Sequence, residues 1–108
     1  MTDVVIVLST VPLGDDGERI ARTLVEERLA ACVNLLPPMT SFYRWQGALQ
    51  KDDERQLLIK STRERLPDLQ ARFTSLHPYA VPELLVLSAD DGGEAYLSWV
   101  RDAVRAIP

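Results

Sequence analysis

The chain holds one histidine, His77, in the loop His77-Pro78-Tyr79-Ala80-Val81-Pro82-Glu83. Histidine is the side-chain type that exchanges its proton near neutral pH and is also the commonest metal ligand. Two prolines stiffen a span of seven residues carrying an imidazole, a phenol and a carboxylate, so the loop could hold a ligand or move a proton. The same residues could equally cap a helix end and pack the loop, and the residue types alone leave both uses open.

Nucleophilic catalysis asks for a nucleophile, a base and a group that orients the base. The reactive side chains on offer are Cys32, several Ser and Thr, Lys51 and Lys60. Cys32 opens an apolar run after Ala30-Ala31, without an evident cation or helix N-terminus beside it, and reads as a small hydrophobe. For metals, Cys32, His77 and Met39 are soft or borderline ligands, whereas Glu83, Asp90 and Asp91 are hard ones. No two stand at a local ligand spacing, so one chain has no evident metal site. Symmetry changes that arithmetic, because several copies can bring equivalent ligands together across an interface.

In Ser41-Phe42-Tyr43-Arg44-Trp45-Gln46 an extended backbone puts Tyr43 and Trp45 on one face and Phe42 and Arg44 on the other. Stacking of nucleic-acid bases is one use of such aromatics. Sixteen acidic residues against twelve Lys and Arg, a net charge of −4, oppose it, because phosphate-backbone affinity comes from clustered cations. Core or interface packing is the expected role. Lys60, following Leu57-Leu58-Ile59, is a cation at a strand end, suited to a surface ion pair or a ligand anion. Neither a Walker-type nor a G-x-G-x-x-G phosphate loop occurs, and Gly92-Gly93 reads as a turn.

These residues need a scaffold, and 108 residues suffice for a single domain over 1–108 with one core. The lone cysteine rules out an internal disulfide and suits a reducing, cytoplasmic setting. No run approaches the roughly 18 apolar residues of a membrane span. Val4 to Leu8 is a short β-branched strand. Asp15 and Glu18 form a capping-box pattern, and Ile20, Ala21, Leu24, Val25 and Leu29 carry a helix to about Ala30. Cys32 to Leu36 is a second strand, Pro37-Pro38 a bend, Thr40 to Gln46 an extended continuation, and Gly47 a reversal.

Ala48 to Ile59 begins with the polar patch Lys51-Asp52-Asp53-Glu54, expected to be exposed or edge strand, and ends apolar. Ser61 and Glu64 suggest a second capping box. Leu66, Leu69, Phe73 and Leu76 then make one helix face ending before His77-Pro78. Leu84 to Leu87 is a strand, and Tyr96, Trp99, Val100 and Val104 line a closing helix. The order β-α-β-β-α-β with an extra helix is that of a ferredoxin-like α/β sandwich. Right-handed crossovers put both main helices on one sheet face and leave the other bare. Since the first strand is apolar throughout, another copy of the chain is the economical cover.

Several segments together are highly specific: Glu27-Arg28-Leu29-Ala30-Ala31-Cys32-Val33-Asn34, Ser41-Phe42-Tyr43-Arg44-Trp45-Gln46-Gly47, Leu58-Ile59-Lys60, the His77 to Glu83 loop, and Tyr96-Leu97-Ser98-Trp99. In order and spacing, over nearly the whole chain, they resemble the CutA family of divalent-cation tolerance proteins. The resemblance implies a ferredoxin-like homotrimer, similar in architecture to the PII signalling proteins. It also implies a link to tolerance of copper and other divalent cations. Carried over by position, a ligand cleft near a subunit boundary uses Trp45, Lys60, His77, Tyr79, Pro82 and Glu83. Copper-associated members can carry a cysteine at the end of the first strand and two histidines before Pro-Tyr. Ser9 and Leu76-His77 stand there instead, and Ala80 replaces an acid within the loop.

The expectation is therefore a non-enzymatic binding or signalling protein that takes a small molecule or a metal ion, without obligatory cofactor, nucleic acid or membrane. Any site for Cu²⁺ or Zn²⁺ should be weak, superficial, and dependent on His77 more than on Cys32. The rival is a small-molecule enzyme with His77 as acid/base, Lys60 binding an anionic substrate, and Glu83 orienting the imidazole in an intersubunit cleft.

Overall fold

A computed structural model describes residues 1–106. Five strands form one antiparallel sheet: β1 (Val4–Pro12), β2 (Cys32–Leu35), β3 (Met39–Trp45), β4 (Ala48–Thr62) and β5 (Leu85–Ser88). Their spatial order is β2-β4-β1-β5, with β3 pairing the first half of β4. The helices are α1 (Asp16–Glu26), α2 (Leu66–Leu76) and α3 (Glu94–Ala103). Among the described residues no helix is long and apolar enough to cross a membrane.

The register explains why β1 is apolar on both sides. Val5, Val7, Ser9 and Val11 pair with Ser61, Ile59, Leu57 and Arg55, and period-two alternation sends them to one face. There Val5, Val7 and Val11 meet Ile20 and Leu24 of α1 and Leu66, Leu69 and Phe73 of α2 in the main core. On the opposite face, Val4 packs with Ala31 and with Leu97, Val100 and Val104 at the C-terminal end. The third helix covers only that end. Leu85 and Leu87, paired with Leu8 and Ile6, remain 57% and 48% exposed. The bare sheet face expected from the element order is thus present in the single chain.

Four local expectations are corrected. The first helix stops at Glu26, not Ala30, because Arg28 turns left-handed (φ 59°) and the amides of Leu29 and Ala30 fold back onto the Leu24 carbonyl. Neither capping box forms. Asp15 has helical backbone angles and makes no side-chain cap bond, while Ser61 lies buried inside β4, donating its hydroxyl to the Leu29 carbonyl at 2.7 Å. Helix α2 instead starts at Leu66, after a 3-10 turn over Arg63–Arg65. In α3 the inward stripe is Leu97, Val100 and Val104, at spacings of three and four; Tyr96 and Trp99 stay about half exposed.

The polar patch at 51–54 is strand as expected, exposed at Lys51, Asp52 and Asp53 but buried at Glu54. Gln46 and Gly47, both with positive φ (49° and 79°), make the tight two-residue turn that suits the twist of a hairpin. The resulting β3–β4 arm pairs Met39 to Trp45 with Glu54 to Ala48. Having only two strands there, it needs little apolar surface, which is why its composition is poor for a strand in a packed sheet.

Candidate functional site

The arm and the loop after α2 enclose a cleft of about 800 Å³. Cross-strand pairing sets Tyr43 opposite Gln50, Ser41 opposite Asp52 and Met39 opposite Glu54. Alternation then places Tyr43 and Trp45 on the same face as Asp52 and Glu54. The Tyr43 hydroxyl donates to the Asp52 carboxylate. Across the cleft, the Tyr79 hydroxyl donates to Glu54 Oε2 at 3.3 Å, and Gln56 Nε2 donates to Glu83 Oε2 at 3.1 Å and to the Ser9 carbonyl at 2.5 Å.

Both phenols resist ionisation. Tyr79 is pushed up to about 12, first by burial and then by the charge of Glu54 and its hydrogen bond. Tyr43 is raised chiefly by its bond to Asp52. Each phenol therefore remains a hydrogen-bond donor to a carboxylate across the physiological range.

His77 stands behind the cleft wall. It is only 8% exposed, its Nε2 lies 2.7 Å from the Thr10 carbonyl, and its Nδ1 accepts the Tyr79 amide at 3.1 Å. An amide can only donate and a carbonyl can only accept, so these partners select the neutral tautomer with its hydrogen on Nε2. The ring also packs between Phe73 and Tyr79, with centroids 5.1 and 4.7 Å away. This corrects the expectation of a superficial metal ligand or acid/base, since either role must first break one of the two bonds. Glu83 is held by Gln56 rather than orienting the imidazole.

Trp45, Tyr79, Pro82 and Glu83 do line the cleft together. Lys60 does not. It lies four residues beyond Gln56 along β4, roughly 13 Å at the usual strand rise, with Nζ 5.9 Å from the Tyr96 ring centre. Within one chain the rival arrangement of His77, Lys60 and Glu83 is therefore not assembled. Cys32 is half-buried on the bare face opposite Lys60, not in the core. Ser9 is fully buried, and Leu76 packs against the main core.

Glu54 was missed by pattern reading: inside the run of five charged residues from Lys51 to Arg55 it looks solvated, yet it is only 8% exposed. Its partner approaches from a loop 25 residues away, and local spacing carries no trace of that contact. Among the described residues no group of three or more His, Cys, Asp or Glu side chains is placed to hold a metal ion.

The family model for the CutA1 divalent ion tolerance protein matches residues 5–103. The divalent-cation tolerance protein CutA of Thermus thermophilus is 50% identical over 97 residues, covering 90% of this chain and 94% of that protein. Human protein CutA is 41% identical over 98 residues; the match covers 91% of this chain and 55% of the human protein, so the chain spans about half of that longer relative. The crystal structure of CutA from Xylella fastidiosa superposes with a TM-score of 0.93 at 40% identity, covering 96% of this chain and all of that one.

Proposed function

Because the chain belongs to the CutA1 divalent ion tolerance family, we propose that it is a non-enzymatic binding protein whose ligand site is the cleft between the β3–β4 arm and the loop at residues 78–83. The observation that carries this reading is the pairing of Glu54 with Tyr79 and of Glu83 with Gln56: two carboxylates held by neutral donors in a concave wall. Such a wall binds without offering a nucleophile and its base. Divalent cations such as Cu²⁺ or Zn²⁺ bind weakly there through the carboxylates, since the buried imidazole is already engaged.

The ferredoxin-like strand order and the uncovered leucines support association of three copies through the bare face, in a PII-like assembly. A single free thiol suits the reducing cytoplasm. Sedimentation equilibrium tests the assembly, and a stable 12.1 kDa species at micromolar concentration removes it. A thermal-shift screen of divalent metals, nucleotides and small organic ions tests the binding role. Ligands selective for the native state raise the melting temperature, and a flat response across the screen contradicts the reading.

A further inference from the structure

We infer that the cleft selects an organic ammonium cation, held against the rings of Tyr43, Trp45 and Tyr79 and neutralised by Glu54 and Glu83. This deepens the reading of the cleft as the ligand site and rests on it. Four aromatic side chains, Phe42 among them, line the same cavity as the two carboxylates, and the lining includes no Lys or Arg. Aromatic faces carry negative quadrupole density, and a ring attracts a cation whose own hydration is weak. Within the single chain an anionic ligand would meet two acids and no counter-charge.

Glu54 sharpens the argument. A carboxylate this buried is costly unless a positive charge faces it, and its hydrogen bond comes from a neutral phenol. Among the described residues neither Glu54 nor Glu83 belongs to an ion pair. The cation–ring contacts there are Lys51 over Phe42 and Lys60 over Tyr96, so Tyr43, Trp45 and Tyr79 hold no protein cation.

Bare divalent metals fit these walls less well. They keep tightly bound water and require several oxygen, nitrogen or sulfur ligands, whereas rings supply no lone pairs and no three-ligand group is present among the described residues. A quaternary ammonium group meets the opposite condition, being large, weakly hydrated and without need of lone pairs. The cavity, at about 800 Å³, also has room for a ligand well beyond a single ion.

The test titrates choline, its neutral isostere 3,3-dimethylbutan-1-ol, and ZnCl₂ into the full chain in its native assembly, following the Trp45 indole resonance. Wild type, Trp45→Leu and Glu54→Gln are compared, with melting curves confirming that each variant is folded. The inference expects choline to shift the Trp45 signal and the isostere to bind at least about tenfold more weakly. It expects Trp45→Leu to weaken choline by roughly fivefold or more. Equal affinity for the isostere, or choline binding unchanged by Trp45→Leu, overturns it. A Zn²⁺-induced shift of Trp45 without any choline response also overturns the ammonium class while leaving the cleft as the ligand site. If no probe moves Trp45, both this inference and the placing of the ligand site fail.

Discussion

His77 Nε2 lies 2.7 Å from the Thr10 carbonyl oxygen, tying the end of α2 to β1 across 67 residues of chain. The other ring nitrogen accepts the amide of Tyr79, so one buried imidazole joins the sheet to the cleft loop. Replacing it leaves a buried carbonyl and an amide without partners and opens a gap between Phe73 and Tyr79. We expect His77→Ala to lower stability by about 2–4 kcal/mol in urea unfolding. A loss below about 0.5 kcal/mol, in the range of ordinary surface substitutions, would show that the imidazole does not hold the loop.

The Tyr79–Glu54 pair makes a prediction in pH. Burial, followed by the charge and hydrogen bond of Glu54, raises the phenol from an ordinary 10 to about 12, so the folded state favours the neutral form. That contribution is fully present below pH 10 and is lost as pH rises from 10 to 12, because the unfolded chain releases its proton first. Ultraviolet titration of tyrosinate should show two late-ionising phenols, Tyr43 and Tyr79, with Tyr79 identified by its loss in Tyr79→Phe. In Glu54→Gln the Tyr79 pKa should fall but stay above the ordinary value, since burial persists. An unchanged titration in that variant would separate Tyr79 from Glu54.

How far the chain's sequence disclosed these features depended on the range of the interaction. Strands such as Val4 to Leu8, and the α2 face of Leu66, Leu69 and Phe73, were legible because alternation and helical spacing are local signals. The bare face followed from handedness rules applied to the element order. Capping failed as a guide at Ser61, where pairing with Val5 extended the strand through the expected cap. Likewise, His77 was visible as chemistry but not as a buried latch, because Thr10 is distant in sequence. In the single chain Trp45 and Tyr79 line one cavity, whereas four residues along a strand carry Lys60 away from it to the Tyr96 end of the sheet.

Gly17, in the first turn of α1, is a packing requirement. A Cβ there would lie 2.9 Å from both Leu35 Cδ1 and Val11 Cγ2. Leu35 can shift, but Val11 is fully buried and stiff at its branch, so overpacking outweighs the helix propensity gained with alanine. Gly17→Ala should therefore destabilise by about 1–2 kcal/mol in denaturant unfolding. A variant as stable as wild type would show that α1 can move off the sheet at no cost.

Leu85 and Leu87 test the bare face. Full burial of a leucine contributes about 1.5–3 kcal/mol, repeated in every copy of a symmetric assembly. Placing Glu at both positions should dissociate the proposed trimer to the 12.1 kDa chain while leaving the main core, on the other side of the sheet, intact. Sedimentation and circular dichroism together check this. Retention of the wild-type mass by Leu85→Glu/Leu87→Glu would place the interface elsewhere.

Metal removal should matter little to folding. Among the described residues no three-ligand cluster exists, and His77 is committed to Thr10 and Tyr79. Dialysis against EDTA should leave the melting temperature unchanged. Adding Zn²⁺ up to a concentration equal to its Kd stabilises by only about 0.4 kcal/mol per site, a shift of roughly 2–3 °C for a chain of this size. That rise should shrink in Glu83→Gln, which removes a carboxylate from the cleft, and persist in Cys32→Ser, whose thiol lies on the bare face. A marked loss of stability on chelation, or disappearance of the Zn²⁺ effect in Cys32→Ser, would assign the metal to Cys32 instead of the cleft carboxylates.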